Sequence, residues 1–217
     1  MESHKFITQK TARYFTIGEA TKNVKELWVC LHGYGELAYY FGRKFRELET
    51  ENGLIVIPEG LNRFYLQGTE GRVGASWMTK EERHSDIEDQ FQFLENLVFQ
   101  LKRELACDCK INVFGFSQGV ATALRWVDKS AISFASIVCW AGTFPPDVDY
   151  QLNNKKFSSI TFQACFGNED EYISTENAQN LLGQMQNQGI KVTPHFYTGG
   201  HKIYPELLAV VFKACTD

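Results

Sequence analysis

The chain has 217 residues, 44% hydrophobic and 22% charged, with a formal net charge of −4. That length can bury a large core without staples and points to one α/β domain over residues 1–217. The acidic balance without a basic run excludes nucleic acid as the expected partner, and no apolar stretch reaches the ~18 residues of a membrane span.

The opening MESHKFITQK lacks the apolar centre of a signal peptide. Strands are then expected over Ala12–Ile17 and Glu26–Leu31, both rich in β-branched or aromatic residues. The second runs into a glycine turn, Gly33-Tyr34-Gly35, that enters a helix. A short strand follows at Leu54–Ile57, and Lys80–Ser85 reads as an exposed charged loop. The longest helix spans about Ser85–Leu105. Ile87, Phe91, Leu94, Val98, Leu101 and Leu105 share one face, and Ser85-Asp86-Ile87-Glu88 reads as a capping box.

Lys110–Phe114 is the next strand, Gln118–Val127 a helix and Ile132–Trp140 a strand. Asp147–Lys156, after Pro145 and Pro146, reads as a surface loop. The chain ends with a strand at Ser158–Phe166, a helix at Thr175–Gln188 stopped by Gly189, a strand at Ile190–Tyr197 and a helix at Tyr204–Lys213. This alternation predicts an α/β fold with a mainly parallel sheet and helices on both faces. Ligand sites in such sheets lie beyond the carboxyl ends of the strands.

Six cysteines are present. Cys30, Cys139 and Cys165 sit in apolar strand runs, and Cys107 and Cys109 form only C-x-C, with no second cluster to complete a zinc site. Cys215 lies near the end of the chain. Reduced thiols, no metal and a cytoplasmic location are therefore expected.

The strongest chemical signal is Gly115-Phe116-Ser117-Gln118-Gly119, a G-x-S-x-G with a strand before it and a helix after it. A sharp strand-to-helix turn strains the serine backbone and pushes its Oγ outward. The flanking glycines are needed where the turn leaves no room for a Cβ. A serine needs a base, and the base an orienter. In a Ser-acid-His order only His195 and His201 follow Ser117. His195 lies inside a strand run and is expected to be structural. His201 lies in the glycine loop past that strand, where an imidazole can reach the serine. The acid belongs in the loop after the preceding strand, where Glu169, Asp170 and Glu171 compete; Asp147 and Asp149 sit in a poorer context.

These motifs resemble the phospholipase/carboxylesterase family of α/β-hydrolases, which includes acyl-protein thioesterases. The likeness rests on Leu31-His32-Gly33-Tyr34-Gly35, on the elbow at Ser117, on the H-G-x-x-D form matched from Gly167 through Asp170, and on His201. It runs from about residue 14 to 213. The chain departs at Phe166 for the usual histidine, Asn168 for an aspartate and Glu171 for a proline. The resemblance implies an α/β-hydrolase fold without a large cap domain. It selects Asp170 as the acid and Tyr34 N–H as one oxyanion donor, beside the N–H of Gln118 after the nucleophile. His32 is expected to shape the loop by hydrogen bonding rather than act as a base. Trp77, in a loop that lies beside the family's acyl pocket, is either a substrate-binding wall or core packing, and Trp140 carries the same two readings.

Gly33-Tyr34-Gly35-Glu36-Leu37-Ala38 also fits the dinucleotide pattern G-x-G-x-x-A, with Glu59 placed as a ribose acid. That reading explains none of Ser117, Asp170 and His201. The expected function is cleavage of a small-molecule carboxylic ester or thioester through an acyl-enzyme, without cofactors. The alternative is a non-catalytic α/β-hydrolase fold that binds a small molecule or partner protein. The sequence carries no signal of an oligomeric state.

Overall fold

The protein, as a computed structural model, is described over residues 1–106 and 108–216. Cys107, read above as half of a C-x-C pair, lies outside the described residues. In chain order the elements are β1 (Tyr14–Ile17), β2 (Glu26–Leu31), α1 (Ala38–Gly42), a 3-10 turn (Arg43–Leu48), β3 (Gly53–Pro58), β4 (Asn62–Gln67), β5 (Glu70–Ser76) and α2 (Arg83–Leu105). There follow β6 (Lys110–Phe116), α3 (Gln118–Lys129), β7 (Phe134–Trp140), α4 (Asn154–Ser158), β8 (Thr161–Gly167), α5 (Thr175–Asn187), β9 (Val192–Tyr197) and α6 (Pro205–Thr216).

Seven strands form one sheet in the order β1-β3-β2-β6-β7-β8-β9, and β4 and β5 pair as a separate hairpin. Only β1 runs antiparallel, against β3; the other neighbours in the large sheet are parallel. Its inner strands β2, β3, β6, β7 and β8 are largely buried, as a doubly covered sheet requires. Leu27, Val29 and Leu31 of β2 face one core with Leu94 and Val98 of α2, Ala123 and Val127 of α3, and Met185 of α5. Trp28 and Cys30 face the other, with Phe41 of α1, Phe45 and Phe212 of α6. The chain moves outward from β2 in both directions, to β3 on one side and β6 on the other. That is the topological switch point, where a crevice forms at the carboxyl ends of the strands.

Several local expectations are revised. The capping box at Ser85 is not formed. α2 begins at Arg83 after Glu82, whose carbonyl accepts Ser85 N at 2.9 Å, so Ser85 falls inside the first turn. The next residue, Asp86, is drawn instead toward the preceding loop by Thr79 N (3.0 Å) and Asn62 Nδ2 (2.9 Å). The β4–β5 hairpin was not expected, because its mostly exposed strands lack a clear apolar alternation. α5 does gain a capping residue, Ser174, whose Oγ accepts Asn177 N at 3.2 Å. No helix among the described residues is long and apolar enough to cross a membrane.

The stretch from Asp147, expected as a solvated loop, is tied down at its start. Arg125 of α3 binds Asp147 with both Nε (2.8 Å) and Nη2 (2.7 Å), and Arg83 adds a third contact at 2.8 Å. Val148 and Tyr150 follow into the core, and α4 closes the segment. The hydrogen bond from Arg125, and then the guanidinium charges, hold the Asp147 carboxyl down at about 2. A depressed carboxyl stabilises the fold above its unfolded value of about 3.9 and loses that contribution as the pH falls through its folded value. Asp147 is 40% exposed, which weakens the pair, but Arg125 is only 8% exposed and would be left uncompensated. Asp147→Asn is expected to cost about 1–2 kcal/mol in urea unfolding at pH 7. The gap to wild type should close as the pH approaches 2; a gap that persists there means the charge is not its origin.

Candidate active site

Ser117 sits between β6 and α3 with φ 53° and ψ −117°, a conformation that costs of order 1–3 kcal/mol in a non-glycine residue. The surroundings impose it. Ser117 N donates to Trp140 O at 2.9 Å, and Val120 N donates back to Ser117 O at 3.0 Å. A Cβ on Gly115 would stand 2.6 Å from Gly119 O, and one on Gly119 would overlap the carbonyl oxygen of Leu31. Both glycines are thus fixed by backbone closeness, and α3 is pressed against the end of β2.

Two loops bring the other side chains to Ser117. His201 Nε2 lies 2.9 Å from Ser117 Oγ, and His201 Nδ1 lies 2.8 Å from Asp170 Oδ2. The Asp170 side chain is 1% exposed and that of His201 14%. The second carboxylate oxygen, Oδ1, accepts Tyr172 N (2.9 Å) and Ile173 N (3.1 Å). An acceptor at Nδ1 assigns the proton to that nitrogen and leaves Nε2 free to accept from the serine hydroxyl. The rings of Phe116 and Tyr172 flank the imidazole at 5.1 Å and 4.7 Å. Of the three carboxylates in this loop, Glu169 and Glu171 stay exposed. His195 is elsewhere, its Nε2 bound to Gln163 Oε1 at 2.7 Å on the neighbouring strand, and burial lowers its pKa.

The glycine turn after β2 faces the elbow. His32 is fully buried; its Nδ1 donates to Gly33 O at 2.7 Å and its Nε2 accepts Gly60 N at 2.9 Å. That pairing requires the neutral ring, and burial lowers its pKa accordingly. Gly33 N donates to Glu36 Oε2 (2.9 Å) and Gly35 N to Ala75 O of β5 (2.8 Å). The Tyr34 N–H between them has no hydrogen bond among the described residues. Gln118 opens α3, so its N–H has no intrahelical acceptor. Its side chain locks the adjacent loop, accepting Trp77 N at 3.0 Å and donating to Met78 O at 2.7 Å.

Of the two readings given for Trp77, its burial and hydrogen bonding fit core packing. It is completely buried, its Nε1 donates to His32 O at 2.8 Å, and its ring lies 4.9 Å from that of His32. The β4–β5 hairpin turns the chain inward just before it, which the sequence did not reveal. Trp140 is likewise buried, with Nε1 on Lys202 O at 3.1 Å. Glu59 is not free for a ribose: it is 2% exposed and binds Arg13 Nε at 2.6 Å and Ala38 N at 3.2 Å. The roles of Glu36 and of the Gln118 side chain were also missed. Glu36 lies three residues after Gly33, a capping spacing that could have been read; the reach of Gln118 to residues 77 and 78 could not. No group of three metal-ligating residues occurs among the described residues.

The profile of the phospholipase/carboxylesterase family matches residues 12–214. Among solved structures, the Zea mays acyl-protein thioesterase 2 superposes with a TM-score of 0.73 at 21% identity, over 95% of this chain and 98% of that one. Esterase PE8 gives 0.72 at 18%, over 95% and 100%. The Bacillus cereus carboxylesterase gives 0.69 at 13%, over 94% and 93%. No curated protein matches the chain significantly. The structural likeness, at these identities, establishes an α/β-hydrolase fold. With the profile covering nearly its whole length, the chain belongs to the phospholipase/carboxylesterase family.

Proposed function

We propose that the protein is a single-domain serine hydrolase that cleaves carboxylic esters or thioesters through an acyl-enzyme. The observation that carries this reading is the continuous relay Ser117–His201–Asp170, with both contacts at 2.8–2.9 Å. Ser117 Oγ attacks the substrate carbonyl carbon while His201 Nε2 takes its proton. Asp170 holds the imidazole tautomer and stabilises the imidazolium. The oxygen of the tetrahedral intermediate takes the Tyr34 and Gln118 N–H groups, each such donor being worth about 3 kcal/mol. His201 then protonates the leaving alcohol or thiol, and the carbonyl reforms as the acyl-serine. Water enters, loses a proton to His201 and releases the acid, restoring Ser117. Every proton and electron pair is carried by Ser117, His201 and water, so no step calls for a metal or organic cofactor. The buried thiols of Cys30, Cys139, Cys165 and Cys215 form no disulfide among the described residues, which suits the reducing cytoplasm.

A fluorophosphonate should label the wild type and leave Ser117→Ala unlabelled. Turnover of short p-nitrophenyl esters should fall at least about 10³-fold in Ser117→Ala and in His201→Ala. A wild-type protein that is neither labelled nor active on esters and thioesters across a chain-length series defeats the proposal.

The second test concerns the loop under Tyr34. His32→Gln cannot reproduce both ring contacts, and an orphaned Gly60 N–H costs about 1–3 kcal/mol. Because the folded state disfavours protonated His32, the unfolded chain takes that proton first. Wild-type stability from this group is therefore complete above about pH 6.5 and declines below it. The variant should be less stable at pH 7.5, and its deficit should shrink as the pH is lowered to 5.5. A deficit that grows on acidification would contradict a neutral His32.

A further inference from the structure

We infer that Asn168 is a positioning residue that laces the histidine loop to the acid loop and so keeps His201 within proton-transfer reach of Ser117. The inference rests on the proposed triad and adds a group that touches neither substrate nor the reacting atoms.

β8 and β9 are paired as far as Gly167 and Tyr197. Beyond that point both chains leave the sheet, one to carry Asp170 and the other His201. Ordinary strand pairing cannot hold them, yet they stay bonded. Asn168 N donates to Tyr197 O at 3.0 Å and Glu169 N donates to Gly199 O at 3.0 Å. Both of those bonds run from the acid loop to the histidine loop. The return bond comes from one side chain: Gly199 N donates to Asn168 Oδ1 at 3.1 Å.

Gly199 has no slack. It is buried, its φ is 145°, and a Cβ there would overlap the Tyr204 hydroxyl. A Cβ on Gly167 would in turn overlap Gly199 O. The two loops therefore meet backbone to backbone, and the buried Gly199 N–H has Asn168 as its acceptor. On the far side of His201 the chain is held again, by Trp140 Nε1 (3.1 Å) and Tyr197 hydroxyl (3.3 Å) on Lys202 O. Residue 201 is thus suspended between two anchored residues, 199 and 202. The Trp140 end is rigid core. The other end is held by Glu169 N on Gly199 O and by the exposed Asn168 side chain on Gly199 N, so removing that side chain loosens this end of the loop.

Asn168→Ala removes the acceptor and leaves the buried N–H unpaired. Asn168→Asp keeps an oxygen at the same place. With a p-nitrophenyl ester, Asn168→Ala should lose about 10–100-fold in kcat, the size expected for a reacting group displaced by about 1 Å, with KM changed less than threefold. Asn168→Asp should recover most of the loss. Proton NMR gives a readout independent of turnover: the downfield His201 Nδ1–H held by Asp170 should be sharp in wild type, broadened in Asn168→Ala and restored in Asn168→Asp. Unchanged kcat and an unchanged imidazole proton in Asn168→Ala would overturn the assignment, as would loss of both without rescue by aspartate. If the wild type proves inactive but the imidazole proton still follows residue 168, the positioning role stands and the hydrolase reading falls.

Discussion

The contact on which the site depends is the one between Gly119 and the end of β2. Gly119 stands so close to the carbonyl oxygen of Leu31 that no side chain fits between them. That closeness pulls the first turn of α3 onto the neighbouring strand and leaves Ser117 the only bridge from β6 to α3. The bridge is too short for relaxed backbone, hence the positive φ at a serine. It also sets the glycine turn after β2 beside the elbow, because β2 and β6 are adjacent strands. One steric constraint thus sets the backbone of Ser117 and brings the end of β2 against the first turn of α3.

Strain of this kind persists only where the surroundings over-determine it. Here three segments do so jointly. His32 ties its own loop to Gly60, and its carbonyl takes the Trp77 indole N–H. Trp77 N and Met78 O in turn grip the two ends of the Gln118 carboxamide. Gln118 is thereby fixed by its side chain as well as by the helix. Preorganised donors stabilise developing charge because they need not reorient during reaction. The chain of hydrogen bonds from Gly60 through His32 and Trp77 to Gln118 supplies that rigidity. The neutral state of His32 is part of the same design, since a charged ring could not accept Gly60 N–H.

Much of this was legible in the sequence because it is written in short-range patterns. The strand–turn–helix setting of Ser117, the loop position of His201 and the alternation that makes a parallel sheet all rest on neighbours within a few residues. What failed was set by longer contacts. The β4–β5 hairpin shows no clear apolar alternation, and it is tied to the glycine turn through its backbone: Gly35 N bonds Ala75 O, and Ala75 N bonds Glu36 O. Without the hairpin, Trp77 had no visible reason to turn inward. The start of α2 slipped by two residues because Asp86 serves the loop before it. Asp147, in an apparently solvated stretch, is held by arginines 22 and 64 residues away.

The choice among Glu169, Asp170 and Glu171 shows where sequence reading ends and geometry takes over. All three have the right charge and lie in the right loop. Asp170 is singled out by a division of labour between its two oxygens. Oδ1 turns back to accept the N–H groups of residues 172 and 173, a local turn that suits the short aspartate side chain. That turn fixes the carboxylate plane, which aims Oδ2 at His201. A glutamate at the same position has one more methylene, and could not close the turn while keeping its other oxygen at that distance. The same local turn explains why the neighbours are excluded: with residue 170 turned inward, the side chains of 169 and 171 point to solvent. The partner of His201 is therefore defined less by its charge than by the backbone it caps, a property that three adjacent carboxylates cannot display until the loop is folded.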